Sequence, residues 1–180
     1  MYSNLRALAV LLAVVAVPRT ASAQFESETA PRFSVPVAAW GSVGLGPGNP
    51  PDHRSGVAGI VRANASAGPF LLGYRYTDAG PFISAGSGVR EKGVLAGVRT
   101  GGHRLFGSAA LGYARSTPYY QSDNNGPTDS PSAGVLAYDA TVHANAYVVG
   151  LALSLSGGIG RSNVTYSAVT LSLEAGWFGW

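Results

Sequence analysis

The sequence predicts an all-β protein, an eight-stranded antiparallel up-and-down transmembrane β-barrel. An export signal precedes eight short stretches in which apolar residues alternate with small or polar ones. The links between these stretches run long, short, long, short, long, short and long, which is typical of a small membrane barrel with tight turns on one side and wider loops on the other. No stretch after the signal approaches the ~20 apolar residues of a membrane-spanning helix.

The first 23 residues have the three parts of a secretory signal peptide. Arg6 gives a positive start, residues 7–17 are an apolar run, and residues 21–23 read Ala-Ser-Ala, a small-residue cleavage site. The apolar run is too short to span a bilayer as a helix. We therefore expect cleavage after Ala23, a periplasmic N-terminal segment over 24–36 and an outer-membrane barrel over 37–180.

The composition narrows the class of protein. Arg6 and Arg19 leave with the signal, so the mature chain is close to neutral and has no basic stripe for nucleic acid. The absence of cysteine excludes a disulfide-stapled domain. Charged residues make up 12% of the chain, which is low for a soluble protein.

Each predicted strand has one apolar face and one small or polar face. In the third, Phe70, Leu72 and Tyr76 share a face opposite Arg75 and Thr77. A soluble barrel would carry many more charges on its polar face, so we expect the apolar face to meet lipid and the polar face to fill the lumen. The predicted strands are 37–46, 56–67, 70–78, 90–100, 103–115, 134–143, 146–156 and 165–177.

Three tight turns set the predicted register, at Gly68-Pro69, Gly101-Gly102 and Ala144-Asn145. Opposed residues in an antiparallel hairpin point to the same face. The first turn places Arg62 opposite Arg75. The second places Val98 opposite Leu105, and the third places Val142 opposite Tyr147. Apolar faces match apolar faces in all three hairpins.

Outward-facing aromatic and charged residues support the membrane interpretation. Aromatic girdles at both interfaces are expected of such barrels. Lys92 and Arg115 break the apolar pattern, but both lie next to long links, where a long side chain can reach the interface. The girdle candidates are Phe70, Tyr147 and Trp177 near the turns, and Tyr76, Tyr113 and Tyr138 toward the loops.

Residues 40–46 (WGSVGLG) and 169–176 (VTLSLEAG) look like first and last strands of a known family. With the strand pattern, they make the mature chain resemble the small eight-stranded outer-membrane barrels of Gram-negative bacteria, the OmpA/OmpX-like porin-type barrels. The resemblance implies contacts with outer-membrane lipid, lipopolysaccharide and the assembly machinery. It also implies a terminal aromatic assembly signal, for which Trp177, Phe178 and Trp180 are the candidates. Trp177 continues the outward row, and Phe178 and Trp180 have the opposite phase. Two arrangements are therefore possible: a bulge precedes the terminus, or Trp177 closes the strand and the rest is a tail.

Six ionisable residues are candidates for a lumen ion cluster: Arg62, Arg75, Asp139, Glu174, Arg99 and Glu91. The directly opposed Arg62 and Arg75 are an unfavourable like-charge pair unless an anion lies between them. We expect Asp139 and Glu174 to point inward, and Arg99 and Glu91 to lie nearer the two rims. The alternative is a set of separate charges around a thread of water.

No motif indicates catalysis, a metal or a cofactor. His53 is on the loop side, whereas His103 and His143 flank turns, so a three-histidine metal site is excluded by this topology. Barrel enzymes that deacylate lipid A carry a His-x-Ser-Asn sequence, but residues 142–145 read Val-His-Ala-Asn and lack the serine nucleophile. We expect no enzyme activity and a structural or solvated role for each histidine.

The long links would carry any binding function, because an eight-stranded lumen is filled by side chains. The recognition candidates are Tyr119, Tyr120, Asp123 and Asp129. A mobile hydrophilic cap is the alternative for this segment. The sequence predicts a monomeric structural or surface-interaction protein. A narrow ion or small-solute channel, a lipid A-modifying barrel enzyme and an exported soluble β-protein remain as alternatives.

Overall fold

The computed structural model describes residues 36–49, 56–81, 85–122, 126–160 and 166–179. The predicted signal peptide and its cleavage site lie outside these ranges, as do His53, Asp123 and Trp180. Within the described ranges, no helix is long and apolar enough to cross a membrane.

The described chain forms one closed antiparallel sheet. Neighbouring strands pair in chain order, and the β1–β9 pairing joins the first strand to the last. The short β6 lies beside the end of β5 and is additional to the eight barrel strands. The predicted all-β up-and-down barrel is therefore confirmed. The strands are β1 Val37–Asn49, β2 Gly56–Ala67, β3 Phe70–Gly80, β4 Gly86–Gly101, β5 Leu105–Gln121, β6 Thr128–Asp129, β7 Ala133–Ala146, β8 Val149–Gly160 and β9 Tyr166–Trp177.

The faces of the strands follow the alternation in the sequence. Exposed and buried residues alternate along most of β1, with Leu45 exposed and Ser42 buried. The same holds on β9, where Leu173 is exposed and Ser172 is buried. The barrel thus has a continuous apolar exterior and a lumen lined by small and polar side chains, which is the arrangement of a transmembrane barrel.

The strands extend further on one side than predicted. We call the end with the three short turns the turn side and the opposite end the loop side. On the loop side β4 begins at Gly86 and β5 ends at Gln121, beyond the predicted limits of 90 and 115. The β5 pairing changes partner there, from β7 at Ser116 to β6 at Tyr119, and the register shifts by one residue.

Only the first predicted turn is correct in position. The pairing of Arg62 with Arg75 around Gly68-Pro69 is confirmed. The other two turns lie further along the chain, so Val98 faces Ala109 rather than Leu105, and Val142 faces Leu153 rather than Tyr147. Both shifts change the register by an even number of positions, which preserves every inward and outward face.

The lumen has apolar ends around a polar middle. On the turn side, Trp40, Phe106 and Phe178 pack together, with ring centroids 5.6 and 6.0 Å from Trp40. Toward the loop side, Val89 and Tyr166 belong to a second buried apolar cluster. Between them lies a belt of buried ions and hydroxyls.

Candidate functional sites in the lumen and at the loop-side rim

A single carboxylate separates the two opposed arginines of β2 and β3. Asp139 reaches them from β7 across the lumen. Its Oδ2 accepts a hydrogen bond from Arg62 Nε at 3.0 Å and lies 3.5 Å from Arg75 Nη1. Thr141 Oγ1 donates to the other carboxylate oxygen at 2.6 Å. The anion that the Arg62–Arg75 opposition requires is therefore supplied by the chain itself.

Arg75 extends this cluster toward the loop side. It is 2% exposed and forms an ion pair with Glu91 of β4. Its guanidinium also donates to the backbone oxygens of Tyr138, at 2.5 Å, and Gly157, at 3.0 Å. Tyr166 donates its hydroxyl to Glu91 at 3.2 Å. Arg62, Arg75, Asp139 and Glu91, which we call the lumen ion cluster, together tie β2, β3, β4 and β7 and carry no net charge.

Glu174 lies outside the lumen ion cluster, and Arg99 lies nearer the turn-side rim, as expected. Glu174 is buried in the lumen but pairs with His143 at 2.8 Å. Arg99 lies near the turn side, where its guanidinium sits 4.1 Å from the centroid of Phe106 and donates to Ser66 at 3.1 Å. Glu174 lies closer to the turn side than Asp139 does. Its position along the barrel axis therefore places it beside the His143 imidazole rather than beside the arginines.

Three side chains from three strands form a second polar unit on the turn side of the lumen ion cluster. Ser108 Oγ lies 2.9 Å from His143 Nε2, and His143 Nδ1 lies 2.8 Å from Glu174 Oε2. All three residues are buried. The His143 ring is stacked on Phe106 with centroids 4.1 Å apart. The expected structural role for His143 fits this placement, because packing and both ring nitrogens are used.

The order serine, imidazole, carboxylate is that of a nucleophilic triad. The surroundings do not suit a hydrolytic reaction. The cavity beside Ser108 and His143 has a volume of ≈ 20 Å³, which is room for about one water molecule. Trp40, Phe106 and Phe178 fill the lumen on the turn side. An acyl substrate has no space near Ser108, so we interpret the unit as a hydrogen-bond network that braces β5, β7 and β9.

Sequence reasoning missed the contact between Ser108 and His143. The two residues lie on β5 and β7, which pair antiparallel with Ser108 opposite Thr141. The inward residue two positions beyond Thr141 is His143. The signal is therefore present in the register of β5 and β7, but a long link separates these strands and no turn fixes that register.

The loop-side rim is braced on the outside of the barrel by Asp78, Arg90, Tyr119 and Asp129, which we call the rim brace. Tyr119 donates its hydroxyl to Asp78 at 2.9 Å, and Arg90 covers the Tyr119 ring at 4.6 Å. Arg90 also bridges Asp78 at 3.4 Å and Asp129 at 3.2 Å. These contacts hold β3, β4, β5 and β6 together on the loop side of the apolar outer surface.

This placement differs from the exposed position that a recognition residue on a long link, as predicted for Tyr119, would have. Tyr119 is 7% exposed, because its ring packs against Gly80, Gly88 and the Arg90 guanidinium. Burial, and then its hydrogen bond to Asp78, raises the pKa of the Tyr119 phenol above its ordinary value. Tyr120 is exposed, as expected of a recognition residue.

The chain terminus follows one of its two possible arrangements. Trp177 is the last residue of β9 and points outward, half exposed. Phe178 follows the strand and is fully buried in the turn-side apolar cluster. The strand thus closes at Trp177, and the next residue fills the end of the lumen. Among the described residues, no group of three or more His, Cys, Asp or Glu side chains could hold a metal ion.

No family model matches the sequence, and no curated protein matches it. Solved structures that share its fold include the following three. Neisserial surface protein A (NspA) is 10% identical, with a TM-score of 0.63 over 77% of this chain and 96% of that chain. The N-terminal β-barrel domain of Pseudomonas aeruginosa OprF is 10% identical, with a TM-score of 0.58 over 79% and 98%. Ail, the attachment invasion locus protein of Yersinia pestis, is 11% identical, with a TM-score of 0.52 over 81% and 99%.

These likenesses confirm the resemblance drawn from the sequence at the level of the fold. The chain has the architecture of the small eight-stranded outer-membrane barrels, over almost the whole length of each of the three structures.

Proposed function

We propose that this chain is an integral outer-membrane protein without enzyme activity, which acts as a structural or surface-interaction protein through its loop-side rim. In this proposal the signal peptide is removed after Ala23. Both termini of the barrel lie in the periplasm, and the long links lie on the outside of the cell. The apolar exterior and the likeness to outer-membrane barrels support the membrane location.

The filled lumen is the observation that carries the proposed role. Buried side chains of the lumen ion cluster cross it from β2 to β7, and the adjoining cavity of ≈ 20 Å³ has room for about one water. A pathway for hydrated ions or solutes needs a continuous wider opening. The packing therefore favours a plugged barrel over the channel alternative, and the same lack of space argues against a lipid-modifying reaction at Ser108.

The braced rim supports a role outside the membrane. The rim brace uses ion pairs and a buried tyrosine to extend β3, β4 and β5 past the apolar belt. This extension carries the exposed Tyr120 and ends in the 122–132 link. A rigid platform that presents a link is a common arrangement for binding segments. We assign recognition of a surface partner to this platform.

Epitope insertion on whole cells tests the orientation. A tag placed at Gly126, where nothing lies within 4 Å of an added Cβ, should be labelled by antibody on intact cells. The matched control carries the tag in the turn at residues 147–148 and should be labelled only after the outer membrane is permeabilised. The opposite pattern would contradict the proposed topology.

Fractionation and conductance test the remaining parts. We expect the protein in the outer-membrane fraction, with faster gel mobility before boiling than after. We expect no discrete conductance steps in planar bilayers. A soluble periplasmic protein without a mobility shift would overturn the membrane assignment, and steady single-channel steps would favour the channel.

A further inference from the structure

We infer that the C-terminal tail, Phe178 and Gly179, is a movable plug in the turn-side end of the lumen. Withdrawal of the tail admits water to the space around Trp40 and His143, and this opening ends at the lumen ion cluster. In the orientation given in the proposed function the space opens to the periplasm. The plug itself acts inside the barrel and does not depend on that orientation.

The tail crosses the mouth of the lumen. β9 ends at Trp177, and Phe178 and Gly179 after it are both buried. The Phe178 carbonyl oxygen accepts a hydrogen bond from Arg99 Nη2 of β4 at 3.4 Å. A Cβ added to Gly179 would lie 3.9 Å from Nδ1 of His103, in the turn between β4 and β5. Since β4 lies across the barrel from β9, the tail spans the opening.

The backbone of Gly179 directs the tail over the start of β1. Its φ of 85° is a left-handed conformation that favours glycine. An added Cβ would lie 3.4 Å from the Val37 carbonyl oxygen and 3.8 Å from Ala38 Cβ. The chain therefore turns across the mouth at this residue, while the Phe178 ring stays inside the lumen.

The tail can move without breaking the sheet. The last pair between β1 and β9 is Ala39 with Trp177, so the tail lies beyond the strand ladder. It is held by packing of the Phe178 ring, whose centroid is 6.0 Å from that of Trp40, and by the Arg99 hydrogen bond, which at 3.4 Å is long. Segments held by few hydrogen bonds open locally at a lower free energy than the whole domain.

Two buried polar groups near the plug favour its movement. Among the described residues, the Trp40 indole nitrogen and both polar atoms of the Asn145 side chain have no hydrogen-bond partner. Asn145 occupies the next inward position of β7 on the turn side of His143. A dehydrated polar group is costly, and water would satisfy it. Exposing the Phe178 ring is unfavourable, but hydration of these groups offsets part of that cost.

The lumen ion cluster limits how far the opening extends. The cavity beyond His143 has a volume of ≈ 20 Å³ and is bounded by residues of this cluster, whose contacts do not involve the tail. Ser156 of β8 lies at this height, directly opposite Asp139, and is fully buried. Ser66, in contrast, shares Arg99 with the tail, because Arg99 Nη1 donates to its Oγ at 3.1 Å. Water should therefore reach Ser66, but not Ser156, when the tail withdraws.

Thiol labelling of the full mature chain tests the plug. The chain has no cysteine, so Ser66→Cys and Ser156→Cys each introduce one nearly isosteric thiol. Each protein is folded into lipid nanodiscs, where both ends of the barrel are accessible, and is treated with methyl methanethiolsulfonate. The labelling rate, measured by mass spectrometry, is divided by the rate of the same protein in urea. Ser66→Cys should react at least about tenfold faster than Ser156→Cys, because its exposure needs only local opening. Equal rates would mean that labelling requires opening of the whole barrel, and would overturn the plug.

A change in the tail gives the second comparison. Phe178→Ala should raise the labelling rate of Ser66→Cys about 100-fold and leave that of Ser156→Cys unchanged. Phe70→Ala removes an exposed, outward aromatic ring on the turn side, so it is the matched control and should change neither rate. No increase in Ser66→Cys, or an equal increase in both proteins, contradicts the inference. Unboiled gel mobility shows whether each barrel is folded. If Phe178→Ala is not, Phe178→Leu should give the same pattern with a smaller increase.

Discussion

Replacing Asp139 with Asn should strongly destabilise the barrel, because this carboxylate lies between two buried guanidinium groups. Arg62 and Arg75 are 6% and 2% exposed, and Asp139 lies 2.9 Å from the first and 3.5 Å from the second. An amide has nearly the same shape but removes the negative charge. The lumen ion cluster then changes from neutral to one uncompensated positive charge.

Breaking one partner of a buried ion pair costs about 3–5 kcal/mol. The carbonyl of the substituted amide can still accept one hydrogen bond from Arg62, so we expect a loss near the lower limit, about 3 kcal/mol. This corresponds to a decrease of about 100-fold in the equilibrium constant for folding. Urea titration of the protein in lipid vesicles, followed by tryptophan fluorescence and by gel mobility, measures the loss.

Asp129→Asn is the matched control for this prediction. Asp129 makes one contact with Arg90 at the rim, and its side chain is 53% exposed. A surface pair of this kind contributes at most about 1 kcal/mol. If Asp139→Asn destabilises no more than Asp129→Asn, the ion cluster does not contribute as argued.

A double variant covers the case in which Asp139→Asn alone fails to fold. Combining it with Arg62→Gln removes one positive charge and returns the lumen ion cluster to no net charge. The double variant should be more stable than the sum of the single changes predicts, by about 0.5–3 kcal/mol. Strict additivity would contradict a direct interaction between these residues.

Three other changes test the remaining contacts. Phe178→Ala removes a fully buried ring from the turn-side apolar cluster and should cost about 3–5 kcal/mol in urea titration; a normal unfolding midpoint would mean that this end of the lumen is not packed. Glu174→Gln leaves His143 with a neutral partner and should cost about 1–3 kcal/mol, whereas an unchanged midpoint would show that the negative charge of Glu174 contributes nothing. Tyr119→Phe should flatten the fall in the free energy of unfolding above about pH 10. The pKa of Tyr119 is raised in the folded protein, so its contribution to stability is complete below the unfolded pKa and is lost as the pH rises above that value. Parallel pH profiles of the variant and the original protein would contradict this contribution.

The faces of the barrel strands could be predicted from the sequence because alternation is a local property. Each of Leu45, Arg75 and Leu173 lies on the predicted face. The register of β2 and β3 was also predictable, since Gly68 has a positive φ of 57° at the turn. Local chemistry and local geometry agree at these positions.

The other two turns could not be predicted from turn chemistry. One turn lies at residues 103–104 and the other at Tyr147 and Val148, none of which is a usual turn residue. Tyr147 even adopts a positive φ of 57°. The extension of β7 to Ala146 places His143 within the strand, where its side chain contacts Glu174 in the lumen. Tertiary contacts thus decide where the chain reverses.

The candidate sites were predictable in part, because the phase of each strand placed Arg62, Arg75 and Asp139 together in the lumen. Arg62 and Arg75 share a hairpin, so their opposition followed from one turn. Glu174 was placed in the wrong group because the height of β9 relative to β7 depends on the shear of the whole barrel. The burial of Tyr119 depends in the same way on a strand extension that no local pattern indicates.

The contacts across the lumen also constrain the order in which the barrel can assemble. Arg62 and Asp139 are 77 residues apart, and Arg75 contacts the backbone of Gly157, 82 residues away. Such distant partners meet only after the costly closure of long chain loops. In a partly rolled sheet both guanidinium groups would stay hydrated. We expect dehydration of these ions and pairing of β1 with β9 to occur in one late step. The β1–β9 pairing must then open before water can reach the charges again, and this requirement slows unfolding.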